Sequence, residues 1–175
     1  MAAQGRPRAS GPSRLDTNIL RLTGCRDCLN HAAEIMGHVD GVIFELGLGN
    51  GRSFDHLRML FPERDIYVFE RKVAAHPRCI PDDAHLYLGD LHETLPRAAE
   101  RFRGQVALLH ADIGGADKEK NLQLTAYFAR FVPDLMKPEG LVVSSEAVPG
   151  LEPYALPESV REGSYFMYRP RRAAA

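Results

Sequence analysis

The sequence predicts an α/β fold: a doubly wound, largely parallel sheet covered by helices on both faces. Two observations carry that expectation. Short apolar runs alternate with stretches of helical apolar spacing, and the first run ends in a turn of three glycines, Gly47, Gly49 and Gly51. Alternation of this kind gives parallel strands joined by crossover helices. With 175 residues and 45% hydrophobic side chains, the chain can bury a core without disulfides or metals.

Each element follows from its local pattern. Residues 1–13, rich in Gly, Pro, Ser and Arg, are expected to form a disordered tail, followed by a single domain over 14–175. Residues 15–36 read as one or two helices broken near Gly24. Ile19 and Leu22 mark the first half, and Leu29, Ala32, Ala33 and Met36 the second. Residues 42–46 form an apolar run between Gly41 and Gly47, as a buried strand would. Phe54, Leu57, Leu60 and Phe61 share one helical face, which Pro62 ends. Residues 66–69 and 86–88 read as the second and third strands. Leu95, Ala98, Ala99 and Phe102 mark a helix with Pro96 in its first turn. Residues 106–111 give a fourth strand. Leu124, Phe128, Phe131 and Leu135 mark one further helix, 137–140 a turn and 141–144 a fifth strand. Residues 147–163 read as a loop. Residues 165–168 read as a last strand at the sheet edge, exposed enough to pair in a homodimer. The expected strand order is 3-2-1-4-5 with that strand added at the edge.

Charge and composition exclude several functions. The formal net charge is −1, yet Arg6, Arg8 and Arg14 lie near one end and Arg169, Arg171 and Arg172 near the other. The body between them therefore carries an acidic excess, which argues against a nucleic-acid partner. The arginine-rich ends read as solvated tails. No apolar run approaches the roughly 18 residues of a membrane helix, so no membrane partner is expected, and no secretory leader is visible. Three cysteines, Cys25, Cys28 and Cys79, form an odd, sparse set that suits a reducing cytoplasm. Cys25-x-x-Cys28-x-x-His31 has zinc-like spacing. It falls inside a predicted helix with no second ligand pair nearby, so it reads as chance and no metal is expected.

The glycine turn carries the chemistry. In open α/β sheets, ligands sit beyond the carboxyl ends of the strands. Glycines there let the backbone turn sharply and approach a ligand. A dinucleotide fingerprint places its third glycine at position 52, which is Arg52; here the third glycine is Gly51, and an acid, Glu45, precedes the first. The segment Glu45-Leu46-Gly47-Leu48-Gly49-Asn50-Gly51 resembles the first motif of the class I S-adenosylmethionine-dependent methyltransferases, an acid, one residue, then Gly-x-Gly-x-Gly.

That resemblance covers about residues 40–145 and implies a Rossmann-like fold and S-adenosylmethionine as cofactor. It implies that Glu45, the loop residues Gly47, Leu48, Gly49, Asn50 and Gly51, and Ser53 lie at the methionine part. Glu70, with Arg71, implies the ribose position, where a carboxylate suits two hydroxyl donors. Gly89, Asp90 and Leu91 imply the adenine position, and Asp112 with Ile113 the methyl-transfer pocket. The alternative for each strand-end acid is a helix cap. The implied reaction is methyl transfer to a small-molecule acceptor. Rivals are a non-catalytic S-adenosylmethionine-binding protein, an aminopropyl transferase of the same fold and, third, a nicotinamide-dependent enzyme, against which Arg52 speaks. Candidate general bases are His110, Asp112, His92 and Glu146, with His110 in an apolar run better read as packed. Tyr127, Tyr154, Tyr165 and Tyr168 are pocket or packing residues. A metal-assisted mechanism of the catechol type would recruit an Asp-Asn pair near the fifth strand, where the chain has Ser144-Ser145-Glu146. The predicted N-terminal helices are candidates for a lid.

Overall fold

The computed structural model describes residues 11–115 and 117–170. Most of the expected tail, and the arginines after Arg169, lie outside the described residues. The elements run α1 (Arg14–Met36), β1 (Val42–Leu46), α2 (Arg52–Leu60), β2 (Ile66–Glu70), β3 (Leu86–Leu88), α3 (Leu91–Arg101), β4 (Val106–Ala111), α4 (Lys118–Ala129), α5 (Val132–Leu135), β5 (Met136–Ser144), β6 (Glu152–Pro153) and β7 (Phe166–Arg169). They form one seven-stranded sheet in the order β3-β2-β1-β4-β5-β7-β6. The first five strands are parallel. β7 runs antiparallel to both β5 and β6.

The two faces of the sheet bury separate cores, because successive side chains of a strand point to opposite sides. Ile43, Val68, Leu108 and Val143 pack with Leu29, Ala32 and Met36 of α1 and Phe54 and Leu57 of α2. Phe44, Phe69, Leu109 and Val142 pack with Leu95 and Ala98 of α3, Phe128 of α4 and Leu135 of α5. Glu45 and His110 stand opposite each other in the β1–β4 register. The same alternation puts both on the face under α1.

Several elements differ from the expectation. α1 is one helix, started by a capping box in which Ser13 accepts from the Asp16 N–H and the Asp16 carboxylate accepts from the Ser13 N–H. Gly24 does not break it. A Cβ there would come within 3.2 Å of the Tyr165 Cβ, so the bare glycine lets the C-terminal segment pack against the helix. That packing outweighs an intrinsic helix cost of about 1 kcal/mol. Ile19 and Leu22, expected on a buried face, are exposed. α3 starts at Leu91, capped by Asp90, so Pro96 lies beyond the first turn. Its ring leaves the His92 carbonyl without a helical donor, and the Tyr127 hydroxyl donates to that oxygen instead, at 3.2 Å.

The single helix expected around 124–135 is two, because Pro133 cannot continue α4 and instead sits at the start of α5. β5 begins at Met136, and the expected turn at 137–140 is a bulge within it: Met136 pairs with Val106 and Leu141 already with Leu108. β7 is not an edge strand. It lies between β5 and β6, which removes it as the pairing edge of a homodimer. The edge on that side is β6, two residues long and ending in Pro153, a blunted edge.

Phe44 is fully buried and sits at the centre of an aromatic cluster, its ring centroid 5.0 Å from Phe69 and 5.4 Å from Phe102. Phe44→Ala is expected to lower unfolding free energy by about 3–5 kcal/mol, read by urea denaturation.

Candidate active site

The crevice forms where β1, β2, β3 and β4 end. After Leu46 the chain turns at Gly47, with φ +89°. A Cβ there would lie 2.8 Å from the Asp112 carbonyl oxygen, so only glycine lets the loop cross the end of β4. Gly49 meets nothing within 4 Å in the direction of a Cβ, so its bare face is open. Leu48 turns its side chain into the core.

Glu70 ends β2 and points at this loop. Its Oε2 accepts from the backbone N–H groups of Leu48, at 2.9 Å, and Gly49, at 3.1 Å. Its Oε1 accepts from the Lys72 N–H at 3.0 Å. One carboxylate thus ties the glycine loop to the end of the neighbouring strand. Asp90, after β3, caps α3 by accepting from the His92 N–H at 2.8 Å. That contact, reinforced by the His92 ring, holds its carboxyl below the usual range. Asp112, after β4, pairs with Arg21 of α1.

Two cavities flank the loop. The larger, about 570 Å³, lies under α1 and is lined by Arg21, Leu22, Cys25, Arg26 and Leu29 on one side and by Asn50, Arg52, Ser53 and His56 on the other. The smaller, about 470 Å³, is lined by Glu70, Arg71, Gly89, Asp90, Leu91 and Leu124. Gly47, Gly49, Asp112, Ile113, Gly114, Gly115 and Asn121 border both and form the saddle between them.

Beneath the loop, on the α1 side, lies a buried polar cluster. Glu45 is fully buried and offers no surface to a ligand, contrary to the expected cofactor contact. One carboxylate oxygen accepts from the Ser53 hydroxyl, and the other meets His110 Nδ1 at 2.5 Å. His110 Nε2 lies 2.6 Å from the Tyr165 hydroxyl and 3.6 Å from Cys25 Sγ. Burial works against a charged imidazole at His110, but the Glu45 carboxylate overrides it and raises the pKa well above 6.5. Burial also holds the Tyr165 phenol well above 10. The packed reading of His110 stands, with a charged partner that its apolar flanks gave no hint of.

Other sequence candidates disperse. His92 is exposed beside Asp90 and Tyr127. Among the described residues, none of Tyr127, Tyr154, Tyr165 and Tyr168 lines either cavity. Cys25, Cys28 and His31 do not converge: Cys25 faces His110, Cys28 is buried in the core and His31 faces Glu34. Sequence reasoning missed Arg21 and Asn121. Asn121 accepts from the Gly115 N–H at 2.9 Å and donates to Glu146 at 3.2 Å, pinning the β4–α4 loop. Its only signal is polarity at a position of α4 that the structure buries in step with Thr125 and Phe128.

A glycine loop anchored by the acid ending the second strand, on a 3-2-1-4-5 parallel sheet, fits the class I S-adenosylmethionine-dependent methyltransferases. Residues 12–170 match the family model described as S-adenosyl-L-methionine methyltransferase, and the chain belongs to that family. It is similar to the crystal structure of an S-adenosyl-L-methionine methyl transferase from Silicibacter pomeroyi DSS-3. The two share 43% identity over 92% of this chain and 100% of that one, with a TM-score of 0.87. A second likeness, to MnmC2 from Aquifex aeolicus, is of fold alone: 18% identity, 87% of this chain, 61% of that one, TM-score 0.56. No curated protein matches the chain. The protein is an enzyme that transfers a methyl group from S-adenosylmethionine.

His110 gains its charge partner on folding, so its folded pKa lies above its unfolded one. The stability it contributes is fully present below pH 6.5 and fades as pH rises from there toward the raised folded value. Urea denaturation across that range is expected to show the gap between wild type and His110→Gln narrowing as pH rises. A gap that widens would contradict the pairing.

Proposed function

We propose that S-adenosylmethionine lies across the saddle, with its adenosine in the smaller cavity and its amino-acid end in the larger one, and that the methyl acceptor is a small molecule entering under α1. The observation that carries this reading is the meeting of Glu70 with the amides of Leu48 and Gly49 between the two cavities. The donor and acceptor set fits such a group: a carboxylate for the ribose hydroxyls, an open glycine face for close approach, and a second carboxylate, Asp112, at the saddle.

The assigned roles follow position. Glu70 and Arg71 border the ribose, and Gly89, Asp90, Leu91 and Ile113 the base. Gly47, Leu48, Gly49, Asn50, Gly51 and Ser53 form the turn beneath the amino-acid end. Glu45 acts from below, through Ser53 and His110. Asp112 is neutralised by Arg21 in the present arrangement, so α1 reaches across the crevice as a lid.

The bound cofactor supplies a sulfonium methyl, already a strong electrophile. The protein's task is alignment, which can account for up to about 7–11 kcal/mol of a barrier. Among the four candidate bases, Asp112 and Glu146 line the larger cavity, whereas His110 and His92 do not. A cavity of about 570 Å³ suits a small acceptor. No helix among the described residues is long and apolar enough to cross a membrane. Three free cysteines, two of them buried, support a cytoplasmic setting.

A thermal-shift series tests the seat. S-adenosylhomocysteine is expected to raise the wild-type melting temperature, since it binds the native state alone. Gly49→Ala puts a methyl on the open face at a left-handed position, costing about 1–2 kcal/mol of stability. In that variant the ligand-induced shift is expected to shrink or vanish. A shift of full wild-type size in Gly49→Ala would contradict the placement.

A further inference from the structure

The geometry points to Cys25 as an activated thiol: a nucleophile at the wall of the larger cavity, held ready by His110, Glu45 and Tyr165, that small, soft carbon electrophiles alkylate. This goes beyond the assigned methyl transfer, which places no demand on a thiol at this position.

Three independent features converge there. First, Cys25 lines the larger cavity, whereas Cys28 and Cys79 do not. Second, its sulfur lies 3.6 Å from His110 Nε2, and the far nitrogen of that ring lies 2.5 Å from a Glu45 oxygen. Sulfur, imidazole and carboxylate stand in sequence, so the positive charge that Glu45 holds on the ring faces the sulfur. Third, the Tyr165 hydroxyl lies 2.6 Å from the same Nε2 and so fixes the ring nitrogen that faces the sulfur.

Cys28 is the internal contrast. It lies on the same helix, fully buried in the α1-side core, and burial pushes its thiol up to about 12. A thiol in those surroundings is inert; one beside an imidazolium is reactive.

The step balances without an oxidant. Cys25 gives its proton to water in the cavity. The charge that develops on the sulfur faces the His110 ring, 3.6 Å away. A sulfur lone pair forms the S–C bond, and the leaving group departs with the electron pair of the bond it breaks.

The full chain treated with iodoacetamide, with the alkylated peptides quantified by mass spectrometry, tests this. Cys25 is expected to react at least roughly tenfold faster than Cys28. His110→Gln and Tyr165→Phe are each expected to slow Cys25 several-fold. Tyr165→Phe keeps the ring and so keeps the core filled, which guards against a variant that fails to fold. A merely structural cluster behaves in the opposite way, because loosening it exposes both buried thiols and speeds them together. A wild-type Cys25 no faster than Cys28, or a Cys25 rate unchanged or raised in Tyr165→Phe, would overturn the proposal.

Discussion

The crevice depends on one carboxylate in contact with three backbone amides. Glu70 closes the gap between the end of β2 and the loop after β1, accepting from Leu48, Gly49 and Lys72. Hydrogen bonds to an ionised acceptor are worth about 1.5–3 kcal/mol each, roughly twice a neutral one. They fix a loop whose three glycines would otherwise leave it with more conformational freedom than any other segment of similar length. The open face of Gly49, the saddle and the division into two cavities are consequences of that fixation. A parallel sheet supplies the strand ends; Glu70 turns two of them into a floor.

The two faces of the sheet differ in kind. Under α3, α4 and α5 the core buries no carboxylate or imidazole among the described residues, and Phe44 packs among Phe69, Phe102 and Tyr67. Under α1 the same sheet buries Glu45, His110 and the Tyr165 hydroxyl. Burying a carboxylate and an imidazole is costly unless each is fully bonded. Here Ser53, Tyr165 and Cys25 complete the set, so the acid of the glycine motif becomes a tie between α2, β4, α1 and the segment leading into β7. That tie places the wall of the larger cavity. It also explains why α1, whose first turns expose Leu15 and Ile19, is held at its middle by Arg21 and Cys25.

The sheet was legible because each central strand is apolar on both faces and each crossover helix carries its own apolar spacing. The floor is legible because strand ends are punctuated by glycines and acids: Gly47 to Asn50, Glu70, Gly89-Asp90 and Asp112 all border the crevice, while Gly51 packs against Cys79. What escaped was set by contacts distant in sequence. Gly24 looked like a helix break until Tyr165 lay against it. Residues 137–140 looked like a turn, because a bulge and a turn share the same residues. The place of β7 inside the sheet rests on β6, two residues with no periodicity to detect. Arg21 and Asn121 are polar positions on helices, which spacing alone assigns to solvent. The motif that Glu45 opens marks it as a ligand contact; the pleat of β1 turns it inward.

The family membership makes the protein a methyltransferase, and the proposed cofactor seat rests on Glu70. Calorimetric titration of purified Glu70→Ala with S-adenosylhomocysteine, beside a circular-dichroism check of its fold, tests that claim most directly. A folded variant with affinity reduced by tenfold or more is the predicted result, given about 1.5–3 kcal/mol for each charge-assisted bond lost. A folded variant that binds as tightly as the wild type would contradict it.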